Sequence, residues 1–177
     1  NWERAALIKA RVVCGDYEAG EEFLRNLKPF IWRKNLDFEA IFEINNIRKQ
    51  VLLANNKITR DTIPGHNLKT GFGGIREIEF FTQTQQLITG GRNKQLRLAP
   101  TVSALKALAH ANWIPIRTST RLIYCYRKLR SIEHILQLIE DSQTHSIPKS
   151  LTKIRQVALV LGYKELTNFY TYFCSLL

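Results

Sequence analysis

The sequence predicts an all-α protein, folded as an antiparallel helical bundle. Apolar residues recur at helical spacing in almost every segment, and no alternating pattern is long enough to argue for a sheet. With 177 residues and 45% hydrophobic content, the chain can also bury a genuine core.

Residues 1–13 place Trp2, Ala5, Ala6, Ile8, Val12 and Val13 on one broad face. Lys9 falls inside that face, while Arg4 and Arg11 share the opposite side; Gly15 and Asp16 end the helix. A short helix over 19–27 leads to Pro29, and Asp37 can cap a longer one carrying Phe38, Ile41, Phe42 and Val51. Residues 55–74 hold Asn, Thr, Pro and Gly instead of a hydrophobic repeat and read as one long loop. A strongly patterned helix follows from Ile75, closed by Gly90 and Gly91, and a basic loop covers 92–100. Thr101 caps a helix through Leu108, and Ser119 or Thr120 starts the longest helix, which runs to about Asp141. Pro148 marks a break; helices over 150–161, stopped by Gly162, and over 165–177 complete the chain. The division expected is a bundle over 1–148, with 149–177 starting the next unit of a longer chain. The lack of any methionine likewise suggests a piece of a longer protein.

The net charge of +11 implies a negatively charged partner: nucleic acid, nucleotide phosphates or an acidic protein surface. The basic residues are spread along the chain without a nucleic-acid signature. Cys14, Cys125 and Cys174 sit in apolar patterns and read as reduced core residues of a cytoplasmic protein. No apolar run approaches membrane-spanning length.

The chain is organised around residues 67–91. A loop with Lys69, Gly71, Gly73 and Gly74 runs straight into the helix that carries Arg76, Glu77 and Glu79. Glycines there would let backbone N–H groups face a ligand, and a helix N-terminus adds about half a positive charge. With Lys69 and Arg76 flanking it, that end suits an anion such as phosphate; the plainer alternative is a long loop with a good helix cap. Arg76, Glu79 and Gln83 share one polar strip, whereas Glu77 lies beside Phe80, Phe81 and Ile88. Glu77 and Lys9 therefore either form structural ion pairs, with each other among the options, or line a polar cleft. His134, Leu138, Asp141 and His145 share a helical face, but its ends are about 16 Å apart, too far for one metal ion; a capping or inter-helix role for His145 fits better. No catalytic motif is present, nor any Asp-x-Asp pair for two-metal nucleotidyl transfer.

These residues carry a resemblance. Residues 2–11, WERAALIKAR, resemble a segment of the bacterial glutamine synthetase adenylyltransferase/adenylyl-removase family. PFIWR at 29–33, LDF at 36–38, KTGFGGIREIEF at 69–80 and the 83–91 stretch are similar to further family motifs in the same order. So are Glu133-His134 with Leu136-Gln137, and Gln143-Thr144-His145 with Pro148. The IREIEF wording is closer to the N-terminal, AMP-removing half.

The resemblance implies a helical domain directly following a polymerase-β-type nucleotidyltransferase domain of the same chain. That upstream domain would hold the carboxylates and magnesium ions, with ATP, ADP and phosphate as its ligands, and this fragment alone would be inactive. Glutamine synthetase and a PII-type regulatory protein would be partners. Lys9, Arg11, Lys69, Gly71, Gly73, Gly74 and Arg76 would face phosphate or nucleotide, with Glu77 and Glu79 in support. A basic module for nucleic acid and a pure protein-docking domain are the alternatives.

Overall fold

The computed structural model describes residues 2–34 and 63–177; the helix expected after Asp37 lies outside them. The described residues form seven α-helices and a single 3-10 turn, with no strand beyond an isolated bridge between Asn67 and Ser146. The helices are α1 (Trp2–Leu7), α2 (Tyr17–Ile31), α3 (Ile75–Gly90), α4 (Thr101–His110), α5 (Ile116–Glu140), α6 (Leu151–Val160) and α7 (Leu166–Leu176). The all-α expectation holds. The chain divides into two compact units, one of Asn1–Lys49 and Glu79–Thr120, the other of Gln50–Ile78 and Arg121–Leu177.

In the first unit, Ala5, Ile8, Ile31 and Leu87 are buried together, with Leu7, Leu27, Trp32 and Phe80 packed around them. Helix α1 is shorter than its pattern predicts. After Leu7 one helical bond remains, Ile8 N–H to Arg4 O (3.2 Å); the turn bonds Lys9 N–H to Ala6 O (3.4 Å) and Ala10 N–H to Leu7 O (3.0 Å) follow, and the chain then leaves helical geometry. Asp16 does not merely end that helix: its carboxylate accepts from the N–H groups of Glu18 (2.9 Å) and Ala19 (3.1 Å) and so caps α2. Pro29 does not stop α2 either, because it sits in the last turn, which Trp32 N–H to Lys28 O (2.9 Å) closes.

The end of α3 is sealed by packing. A Cβ on Gly90 would lie 2.6 Å from the Trp32 ring, and one on Gly91 only 1.8 Å from the Arg33 carbonyl oxygen. Arg97, stacked 5.4 Å over Trp32, donates Nε to Gly90 O (2.6 Å) and Nη2 to Gly91 O (3.4 Å), so the terminal carbonyls are satisfied by a side chain. The basic loop is tied to α3 by buried Gln86, whose amide donates to Leu96 O (2.7 Å) and Leu98 O (2.8 Å). Pro100, not Thr101, occupies the N-cap of α4, and Thr101 is buried inside the helix. Pro115 precedes α5, which therefore starts three residues before Ser119; Ser119 is buried and donates to Leu105 O (3.0 Å).

The second unit packs α5, α6 and α7 around Leu129, Ile132, Leu136, Ile154, Phe169 and Phe173, all fully buried. Asp141 at φ 43° ends α5, and Gly162 at φ 89° separates α6 from α7, as the sequence predicts. Only Cys125 of the three cysteines is in the core; Cys14 and Cys174 are exposed, because Cys14 lies beyond the shortened α1 and Cys174 on the outer side of α7.

Candidate functional site

The candidate residues fall into two groups, one in each unit. Lys69, Gly71, Gly73, Gly74, Arg76 and Glu77 belong to the second, Lys9, Arg11 and Glu79 to the first.

In the second unit the loop folds upon itself before entering α3. The Asn67 side chain accepts from the N–H groups of Lys69 (2.9 Å) and Thr70 (2.8 Å), an Asx turn, while Asn67 O accepts from Gly71 (2.8 Å). The loop carbonyls then take the first N–H groups of the helix: Ile75 to Leu68 O (2.8 Å), Arg76 to Lys69 O (2.9 Å) and Glu77 to Gly74 O (3.1 Å). This corrects the expectation of free N–H groups aimed outward. The glycines serve the loop's own packing: a Cβ on Gly71 would lie 2.4 Å from Asn67 O, and one on Gly74 would lie 2.7 Å from Leu68 O. Gly73 adopts φ 69°, a left-handed conformation that a side chain would strain. What remains for an anion is side-chain charge, on exposed Arg76 and half-buried Lys69, at the positive end of α3. Glu77, in the same turn, is partly buried with its Oε1 shielded from solvent.

In the first unit the partner of Lys9 is Glu79, not Glu77. Lys9 Nζ lies 3.0 Å from Glu79 Oε1 and 3.2 Å from Thr101 Oγ1. A helical wheel cannot place Lys9, since the residue stands on the turn after α1. Glu77 and Glu79, two residues apart on α3, point about 200° away from each other, so only one can meet it. Arg11 is exposed, but Arg4 does not share its side: Arg4 is buried, 5.1 Å over the Phe30 ring. Desolvation, and then the charge of Arg33, lower the Arg4 pKa.

Two buried groups escaped sequence reasoning. Glu133, 2% exposed, accepts from Arg130 Nη1 (2.7 Å) and pairs through its other oxygen with His145 Nδ1 (2.8 Å). His145 thus engages a side chain, not the terminal carbonyls of α5. Burial opposes the charge on Arg130, but hydrogen bonds to Glu133 and Tyr126 outweigh it and hold its pKa above the usual value. His66, also 2% exposed, meets Phe173 edge-on at 5.5 Å, and its Nε2 has no hydrogen-bond partner among the described residues. Desolvation pushes its pKa down, favouring the neutral ring. For Glu133 the signal available was an acidic residue inside the apolar period of α5, between Leu129, Ile132 and Leu136; the loop that holds His66 has no hydrophobic repeat and carried no such signal. Among the described residues no group of three or more His, Cys, Asp or Glu could hold a metal ion, and no helix is long and apolar enough to cross a membrane.

Residues 45–171 match the family described as GlnD PII-uridylyltransferase. The chain belongs to that family. Among its relatives, proteins named bifunctional glutamine synthetase adenylyltransferase/adenylyl-removing enzyme are 48% identical in Rhizobium meliloti (strain 1021) and 50% in Bartonella quintana (strain Toulouse), each over 96% of this chain. The Agrobacterium fabrum (strain C58 / ATCC 33970) protein of that name is 49% identical over the same share. The chain spans 17% of the length of these curated relatives. The resemblance carried by the WERAALIKAR and KTGFGGIREIEF segments is therefore borne out, and the family is matched here over one helical portion of much longer proteins.

Proposed function

We propose that this chain is the helical part of a cytoplasmic enzyme that adds AMP to glutamine synthetase or removes it, and that it comes from the AMP-removing half. The observation that carries the reading is identity of 45–50% over nearly the whole chain to proteins bearing that double name. The description of the matched family names PII, whereas the relatives' names carry glutamine synthetase; in this proposal glutamine synthetase is the substrate and a PII-type protein the regulator.

In the proposed reaction an oxygen of inorganic phosphate attacks the phosphorus of an AMP-tyrosine. The bond from phosphorus to the tyrosine oxygen breaks, the tyrosine takes up a proton, and ADP leaves. Lys69 and Arg76 would orient phosphate oxygens as the helical part closes over an upstream nucleotidyltransferase domain. Lys9 is neutralised by Glu79, so its part would be to fix that carboxylate, while Arg11 is an exposed cation. Among the described residues no cluster of carboxylates fits magnesium, and Glu79 is engaged by Lys9. In this reading the ions and the nucleotide belong to the upstream domain.

A second reading rests on the part of α5 in the second unit, where Arg121, Arg127 and Lys128 are exposed and no acidic residue precedes Glu133. Such a stripe suits a nucleic-acid backbone, and affinity that falls steeply with salt would favour it. The deciding experiment measures phosphate-dependent ADP release from adenylylated glutamine synthetase, by this chain alone and by a chain extended through the upstream domain. Release only by the extended form supports the proposal. Release by neither, with both folded, returns the chain to a docking or nucleic-acid role.

A further inference from the structure

We infer that Glu133 and His145 form a positioning pair that sets the geometry of the glycine loop. The inference rests on the reading that Lys69 and Arg76 meet phosphate. Glu133 projects from α5 into the core of the second unit, and both of its oxygens are engaged, one by Arg130 and one by His145. His145 lies beyond the end of α5, on a segment without helical hydrogen bonds of its own. That segment grips the loop through its backbone. His145 O accepts from Leu68 N–H (2.8 Å), Ile147 N–H donates to His66 O (2.8 Å), and Gly65 N–H donates to Ile147 O (2.9 Å).

The next bonds lead to the two cations. Asn67, bridged to Ser146, holds the N–H groups of Lys69 and Thr70 through its side chain, and Lys69 O holds the N–H of Arg76. Hydrogen bonds joined by single residues or adjacent backbone therefore lead from a carboxylate on α5 to the backbone of both candidate phosphate ligands. Leu68, Ile75 and Ile147 are fully buried, so apolar packing would keep the segment in place if the pair were lost. Packing does not fix register as a paired carboxylate does. Loss of the pair should loosen the loop without unfolding the unit.

The test uses the full-length enzyme. Hydrogen exchange is followed over peptides 65–77 and 151–160, together with the KM for inorganic phosphate and kcat in the ADP-releasing reaction. His145→Ala is expected to raise exchange in 65–77, leave 151–160 unchanged, and raise the phosphate KM about tenfold, the scale on which a slightly misplaced binding group acts. His145→Asn puts an amide N–H near the position of Nδ1 and should restore both readouts. Glu133→Ala combined with His145→Ala should be no worse in KM than the more damaging single change, because both lie on one path. Equal rises in both peptides, an unmoved 65–77 peptide, or an Asn variant as impaired as the Ala variant would overturn the inference. If 65–77 loosens and is rescued as expected but neither Lys69→Gln nor the pair variants move the phosphate KM, the positioning stands and the phosphate reading falls.

Discussion

Replacing Gly74 by alanine tests whether the glycine loop is built for its own packing or for an outside ligand. Gly74 is not among the glycines with positive φ, so the added methyl carries no conformational penalty of that kind. It would instead meet Leu68 O at 2.7 Å, Gly71 O at 2.8 Å and Lys69 O at 3.1 Å. All three are backbone atoms, and two of them accept the N–H bonds that seat α3, so no side-chain rotation relieves the clash. Overpacking of this kind costs about 3 kcal/mol. For a chain of this size that lowers Tm by about 6–12 °C. Gly162→Ala is the control. Its Cβ meets nothing within 4 Å, and its φ of 89° alone is strained, so it should cost only about 1–2 kcal/mol. Urea unfolding followed by circular dichroism gives both values on one scale. Gly74→Ala within about 0.5 kcal/mol of the parent would refute the self-packed loop and restore the view that the glycines keep space for a ligand.

His66 is buried and its pKa is lowered, so the unfolded chain binds a proton that the folded chain refuses. Its contribution is complete above the unfolded pKa near 6.5 and is lost as pH falls below that, by at most about 1.4 kcal/mol per pH unit; melts between pH 5 and 7.5 should show a slope that His66→Phe removes. Arg97→Lys forfeits the fork onto the Gly90 and Gly91 carbonyls and the stack on Trp32, and should cost about 1–2 kcal/mol by denaturant titration. A thiol reagent should modify Cys14 and Cys174 in the native protein but Cys125 only on unfolding, since burial both hides that thiol and pushes its pKa up.

Much of the fold was legible because its boundaries are local. Ile75 to Gly90, the helix before Gly162 and the aromatic last helix each combine an apolar period with a stop that acts within a turn. Errors of fold came at helix ends. The pattern through Val13 is helical, yet the chain leaves the helix at Leu7; Pro29 reads as a stop, yet one further turn completes α2. The candidate site was legible as a set of charged and glycine positions but not as partnerships. Lys9 and Glu79 are seventy residues apart, and a helical wheel carries no information across that distance. Nor could it show that the loop would consume the N–H groups at the start of α3.

The two carbonyls gripped by Gln86 set a limit on which sequences this fold can tolerate. Both contacts need protons, and the amide nitrogen supplies them to Leu96 and Leu98 within a buried site. Glutamate has the same size and shape and lies one base change from either glutamine codon, yet it would bring only lone pairs to meet lone pairs. Spontaneous deamidation reaches the same product without any change in the gene. A substitution that every measure of volume passes as silent would thus release the basic loop, and an ageing sample could drift toward the same lesion.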